Sequence, residues 1–221
     1  MSEDKLSIGI VVSKYNSAIT ENLLEGAKWV FGEGLESVRS QWFGDDFSKR
    51  PEVNPKNWTT EQANIMSARY KKENVNISIM RVPGAYELPY GVQCLAQGDK
   101  QGDKQKDKQR MNAVIALGAI IQGETSHHDH LAAAVSNGLM QVGLENNLPV
   151  GFGLITANTY AQAEQRASND AIKNVLQGSA PAKQSEERGE SNKGYEAAKA
   201  VLELMLEQDF SEYIQKINSN S

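Results

Sequence analysis

Residues 111–134 read MNAVIALGAIIQGETSHHDHLAAA, an apolar run that passes through Gly123 into a polar corner and then into an amphipathic stretch. Rich in Ile, Val and Ala and without polar alternation, 111–121 has the composition of a strand covered by helices on both sheet faces. The same composition recurs in LSIGIVVS (6–13), VNISIMRV (75–82) and LPVGFGLIT (148–156). Between these runs lie helical patterns at 19–34, 85–97, 128–147, 159–177 and 194–210. Leu23, Ala27 and Val30 share one face of the first, and Leu131, Val135 and Leu139 share a face of the third, as a 3.6-residue period requires. Strand then helix, repeated, predicts an α/β fold: a doubly wound four-stranded parallel sheet between two helical layers.

With 221 residues the chain can bury one substantial core, so a single domain over 1–221 is expected. Three stretches break the strand–helix rhythm and read as insertions. Residues 36–74 are long for a connection and hold a possible extra helix at 59–73, capped by Thr59 or Thr60. Residues 98–110, GDKQGDKQKDKQR, repeat a polar unit, and 178–192 form a third polar loop. The aspartates of the repeat offset much of its lysine charge, so it is a weak basic patch.

Lys and Arg total 23 against 28 Asp and Glu, a formal net charge of -5 that offers no general attraction to nucleic acid or to an anionic membrane. No apolar run approaches the length needed to span a bilayer. The start, MSEDKLSIGIVVSKYN, is acidic where a signal peptide would be basic, which makes the cytoplasm the simplest expected location. The single cysteine, Cys94, rules out an intramolecular disulfide and reads as a buried, inert thiol.

In a doubly wound sheet, ligands bind at the carboxyl ends of the strands. Those ends are SKYN, RVPGAYELP and QGETSHHDH, followed by the turn after FGLIT. Thr125 or Ser126 suits the N-cap of the helix after the third strand, whose free N–H groups and positive dipole end favour an anion. An ordinary cap without a ligand is the plain alternative. His127 and His130 are three apart, but His128 turns away and no distant histidine or cysteine completes a ligand set, so no metal site is expected. An imidazole at a helix N-terminus is instead suited to accept a proton, which makes His127 a candidate general base. Tyr15 offers a ring for stacking and Asn16 an amide, Pro83 and Gly84 make a turn with exposed backbone amides, and Arg166 is a counter-charge for phosphate.

In order along the chain, IGIVVSKYN, ITENLLEGA, VPGAYELP, ALGAIIQGETSHHDH, LPVGFGLIT, AQAEQRA and NKGYEAA closely resemble the lumazine synthase family over about two-thirds of the chain. The resemblance implies a flavodoxin-like three-layer sandwich and a transferase that needs no metal or redox cofactor. Its reaction would condense 5-amino-6-(D-ribitylamino)uracil with 3,4-dihydroxy-2-butanone 4-phosphate, giving 6,7-dimethyl-8-ribityllumazine, phosphate and water. By matching positions, Tyr15 would stack on the pyrimidine, with Asn16, Ala85, Tyr86 and Glu87 holding it and its ribityl chain. Ala119, Ile120 and Ile121 would line the pocket, while Gly123, Glu124, Thr125 and Arg166 would meet the phosphate and its surroundings. His127 aligns with the acid–base histidine, and Phe152 and Lys193 with residues that complete the pocket of an adjacent subunit. A homo-oligomer, expected as a free pentamer, follows from that sharing; the partners implied are small-molecule substrates, not nucleic acid or membrane.

The chain departs from the family pattern at His128 and His130, where aromatic residues are usual, and in the connection after Arg166, which is longer and leaves the placement of Lys193 open. A non-catalytic flavin or lumazine carrier and a structural shell protein are the alternative classes.

Overall fold

The structure is a computed structural model and describes residues 5–35, 69–98, 110–170 and 192–219. Strand β1 (Leu6–Ser13) leads into helix α1 (Ser17–Phe31). A 3-10 turn (Lys72–Asn74) precedes β2 (Val75–Val82), and a second one (Ala85–Glu87) opens α2 (Leu88–Gln97). Then come β3 (Ala113–Ile121), α3 (His127–Asn146), β4 (Val150–Ala157), the short α4 (Tyr160–Gln165) and the long α5 (Lys193–Ser219).

The strands form one parallel sheet in the order β2-β1-β3-β4, with β1 and β3 at its centre. Every residue of β1 is buried, as are the first eight of β3, which explains why both read as unbroken apolar runs. Two cores lie on opposite faces. One joins Ile8, Ile10 and Ile115 to Leu23, Ala27 and Val30 of α1 and to Val201 and Leu202 of α5. The other joins Val11, Val114 and Ala116 to Val92 of α2 and to Val135 and Leu139 of α3. The doubly wound three-layer α/β/α architecture expected from the sequence is therefore present, with strand boundaries within two residues of expectation.

Three expectations need correction: the burial of the second strand, the length of the fourth helix and the burial of Cys94. The second strand was expected to be buried, but it is a sheet edge. Ile77 and Ile79 are 37% and 45% exposed: among the described residues β2 pairs with β1 alone and stands at the end of the sheet, where its faces are covered less than those of the central strands. The fourth helix was expected to run through Arg166, yet it ends at Gln165: the Arg166 carbonyl accepts from the Lys193 N–H (2.9 Å) and the Ala167 carbonyl from the Asn192 amide (3.1 Å). With those acceptors engaged by another segment, the helical ladder stops.

The insertion expected at 36–74 includes residues that belong to the fold. Tyr70 is buried, its hydroxyl donates to Asp209 Oδ2 at 2.7 Å, and Arg69 pairs with Asp209 Oδ1 at 3.0 Å. Likewise, the polar loop expected at 178–192 ends on Asn192, which is 1% exposed. The rest of both stretches, the repeat at 99–109 and the helix expected at 59–73 up to residue 68 lie outside the described residues. Cys94, expected to be buried, is only half-buried on α2, whose buried face is formed by Leu88, Gly91, Val92 and Ala96. No helix among the described residues is long and apolar enough to cross a membrane.

Candidate active site at the carboxyl edge of the sheet

The chain leaves β1 at Ser13 and is held beside the exit of β2, because the Lys14 N–H donates to the Val82 carbonyl (2.8 Å) and the Tyr15 N–H to the Pro83 carbonyl (3.2 Å). Tyr15 therefore stands at the mouth shared by two strand ends, 72% exposed. Asn16 follows in the left-handed region (φ 57°), which asparagine tolerates better than most residues. Its carbonyl accepts from the N–H groups of Ile19 and Thr20, and its side-chain amide donates to the Ala119 carbonyl at 3.0 Å. Asn16 thus braces the end of β1 against the end of β3, with one amide N–H committed to protein.

After β2 the Pro83–Gly84 turn is fixed by Glu87, whose carboxylate accepts from the Gly84 N–H at 2.8 Å. The turn presents Gly84, Ala85 and Tyr86 toward the mouth, where Tyr86 is exposed as Tyr15 is. Between these segments and β3 lies an open cavity of about 640 Å³, of the size that takes a drug-sized molecule. Its floor is the end of β3, Ala119 to Ile121. Gly123, Thr125 and His127 form one wall, extended by His128 and Leu131.

That wall is the beginning of α3. Ser126 occupies the N-cap position and makes no side-chain cap bond; Thr125 Oγ1 is a long 3.4 Å from the His127 N–H. The expected capping is therefore weak, and the helix start keeps N–H groups for another acceptor. Gly123 shows a second opening: a Cβ built there meets nothing within 4 Å. His127 is the first residue of α3 and is exposed on the cavity wall. His128 faces back, its Nδ1 3.0 Å from the Thr125 carbonyl and its Nε2 3.2 Å from Asp129 Oδ1. No cluster of metal-ligating side chains occurs among the described residues.

Tyr15, Ala85, Tyr86, Ala119, Ile120, Ile121, Gly123, Thr125 and His127 are thus brought together. Asn16 and Glu87 brace the wall, and Glu124 is exposed beside it. Arg166, Phe152 and Lys193 do not line this cavity. Arg166 is exposed at the end of α4, and Lys193 pairs with Glu196. Phe152, half exposed, lies in a separate groove with Met140, Leu144 and Leu204. Phe152 pairs in register with Ala116, three residues before the cavity floor begins at Ala119, so it stands roughly 10 Å back along the sheet. Sequence reasoning passed over His128 and Leu131 as lining residues. The signal was available for Leu131, which lies four residues after His127 and so on the same helical face.

Fold and site together define a doubly wound α/β protein with an open, ring-flanked small-molecule cavity at the carboxyl ends of its strands. The family described as 6,7-dimethyl-8-ribityllumazine synthase matches residues 57–208. A 6,7-dimethyl-8-ribityllumazine synthase of Buchnera aphidicola subsp. Baizongia pistaciae is 31% identical over 204 residues, 92% of this chain and 88% of that protein. Another, of Kosmotoga olearia, is 34% identical over 199 residues, 90% of this chain and 86% of that protein. The chain belongs to the 6,7-dimethyl-8-ribityllumazine synthase family.

Proposed function

We propose that the chain is a transferase of riboflavin biosynthesis that condenses 5-amino-6-(D-ribitylamino)uracil with 3,4-dihydroxy-2-butanone 4-phosphate, releasing 6,7-dimethyl-8-ribityllumazine, phosphate and water. The observation that carries this reading is the cavity itself: in a member of this family, exposed Tyr15 and Tyr86 line a space whose wall is a weakly capped helix start bearing His127. The pyrimidine stacks on Tyr15 between Ala85, Tyr86 and the Ala119–Ile121 floor, with Asn16 and Glu87 holding the walls in place. The phosphate approaches Gly123 and Thr125, beside Glu124, where the missing side chain leaves room and the N–H groups of α3 supply donors. Arg166 supplies its counter-charge.

An aromatic amine and a ketone react without assistance, so holding them together supplies much of the acceleration. His127 moves protons through imine formation, phosphate loss and ring closure, and the helix start and Arg166 stabilise the leaving phosphate. No metal or redox cofactor takes part. Phe152 and Lys193, which stand away from their own chain's cavity, complete that of a neighbour in a cytoplasmic homopentamer.

The test mixes purified protein with both substrates and follows lumazine absorbance and phosphate release together against a protein-free control. Acceleration of both, lost in Arg166→Ala at low butanone phosphate, is the expected result. Background rates with intact flavin binding would mean that the fold serves as a carrier.

A further inference from the structure

The segment that holds Arg166 is a short turn after a six-residue helix, and its guanidinium has no hydrogen-bond or ion-pair partner among the described residues. Its placement therefore depends on what anchors the backbone of 166–169. Besides the turn's own bonds back to α4, an anchor comes from far along the chain. Asn192 is 1% exposed, and its side-chain amide donates to the Ala167 carbonyl (3.1 Å), to Asn169 Oδ1 (2.8 Å) and to the Asn22 carbonyl on α1 (2.9 Å). Three acceptors share two N–H groups, so the donor capacity of the amide is fully used. Its Oδ1 accepts from the N–H groups of Gly194 (2.9 Å) and Tyr195 (3.0 Å), which caps α5. The next residue, Lys193, donates its N–H to the Arg166 carbonyl at 2.9 Å.

The crossing is tight enough to exclude side chains at two places. A Cβ on Gly26 would lie 2.3 Å from Asn192 Oδ1, and one on Gly194 would lie 2.0 Å from the Leu23 carbonyl oxygen. Helix α1, the Arg166 turn and the start of α5 thus meet at one amide. In sequence, Ala167 and Asn192 are 25 residues apart, so the contact ties together segments that are distant along the chain.

From this junction we infer that Asn192 is a positioning residue for phosphate binding, holding the Arg166 turn in place through its side-chain amide while its oxygen caps α5. The inference rests on the proposed phosphate role of Arg166 and adds a residue to it. The two halves of the Asn192 side chain separate the positioning role from the structural one. Asn192→Asp keeps an oxygen for the Gly194 and Tyr195 N–H groups but turns the donor toward the Arg166 turn into an acceptor facing three acceptors. Asn192→Ala removes both functions.

The experiment measures kcat, the KM of each substrate, the Kd of inorganic phosphate and the melting temperature for wild type, Asn192→Asp, Asn169→Ala, Arg166→Ala and the Arg166→Ala/Asn192→Asp pair. Asn192→Asp is expected to raise the KM for butanone phosphate and the Kd for phosphate about tenfold, with kcat and the uracil KM within about twofold. In the Arg166→Ala background the same change is expected to have no further effect on phosphate binding, because the residue it acts through is gone. Asn169→Ala, which removes one acceptor of the amide and leaves the cap, is expected to shift phosphate binding two- to threefold in the same direction, and it carries the test if Asn192→Asp does not fold.

A lowered melting temperature with unchanged phosphate binding would overturn the inference, as would an Asn192→Asp effect that persists without Arg166. A wild type that binds inorganic phosphate in an Asn192-dependent manner but makes no lumazine would refute the synthase reading and keep this one. A wild type that does neither would remove the phosphate site and the positioning role with it.

Discussion

Two glycines with opposite surroundings test the site at the level of single residues. Gly26 faces the Asn192 oxygen, which is committed to capping and cannot move aside. Gly26→Ala is expected to cost about 1–3 kcal/mol of stability, as overpacking does, read by urea unfolding. Gly123 faces open cavity, so Gly123→Ala should leave stability within roughly 0.5 kcal/mol of wild type. The same methyl stands where the phosphate would approach, so the variant should bind butanone phosphate more weakly; unchanged KM would place the phosphate elsewhere. At the neighbouring position, His127→Ala should slow turnover about 100-fold, near the lower end of general acid–base effects, because the uncatalysed route stays open. Unchanged turnover at saturating substrate would remove His127 from the chemistry.

Among the elements, α5 has an anchor at each of two points. At its start Asn192 supplies the cap, and just past its middle Asp209 receives Tyr70 and Arg69 from the segment before β2. Burial first, then the Asp209 carboxylate, pushes the Tyr70 hydroxyl well above its ordinary value near 10. Ionisation is therefore harder in the folded chain than in the unfolded one. The stability linked to this group is fully present below about pH 10 and is lost as pH rises toward the folded-state value. Tyr70→Phe should cost about 1 kcal/mol at neutral pH and flatten the fall in stability above about pH 10, measured by denaturant melts from pH 8 to 11. Parallel pH profiles for the two proteins would show that this tyrosine does not govern the alkaline limb. The edge strand β2 has a weaker tie, the exposed Arg81–Glu21 pair, in which the Arg81 hydrogen bond holds the Glu21 carboxyl below its ordinary value.

For the whole molecule, the separation of Phe152 from its own chain's cavity has a direct consequence. If active sites form between copies, a His127→Ala chain and a Phe152→Ala chain, each impaired alone, should regain activity when unfolded together and reassembled. A quarter or fewer of the sites would pair intact residues from both chains, so partial recovery is the expected readout. Two inactive parents that yield an inactive mixture would confine the site to one chain. The exposed apolar groove formed by Met140, Leu144, Phe152 and Leu204, together with the open β2 edge, is the surface that assembly would cover. Sedimentation should show a species of about 120 kDa, five copies of 24.3 kDa, and a sixty-subunit particle would refute the free pentamer.

Legible in the sequence were the four strands, most of the helices between them and the class of fold. Unbroken Ile and Val runs mark strands, and β1, β2, β3 and β4 fall where those runs lie, although only β1 and β3 have the full cover on both faces that such a composition suggests. The order of motifs at the strand ends also carried the family, because SKYN, VPGAYELP and QGETSHHDH are local words that survive without their neighbours. Tertiary structure alone decided the rest, and the reason is distance along the chain. The exposure of β2 depends on which strands flank it, which no window of residues contains. The Asn16 amide is committed to Ala119, 103 residues away, and the end of α4 is set by Asn192 and Lys193 from beyond a long polar connection. Tyr70 looked like part of an insertion because the core it joins draws on α1 and α5, and the Asp209 carboxylate that satisfies its hydroxyl lies on α5, 139 residues further on. Periodicity reports which face of an element is apolar; only the packed molecule shows which distant polar group that element must satisfy.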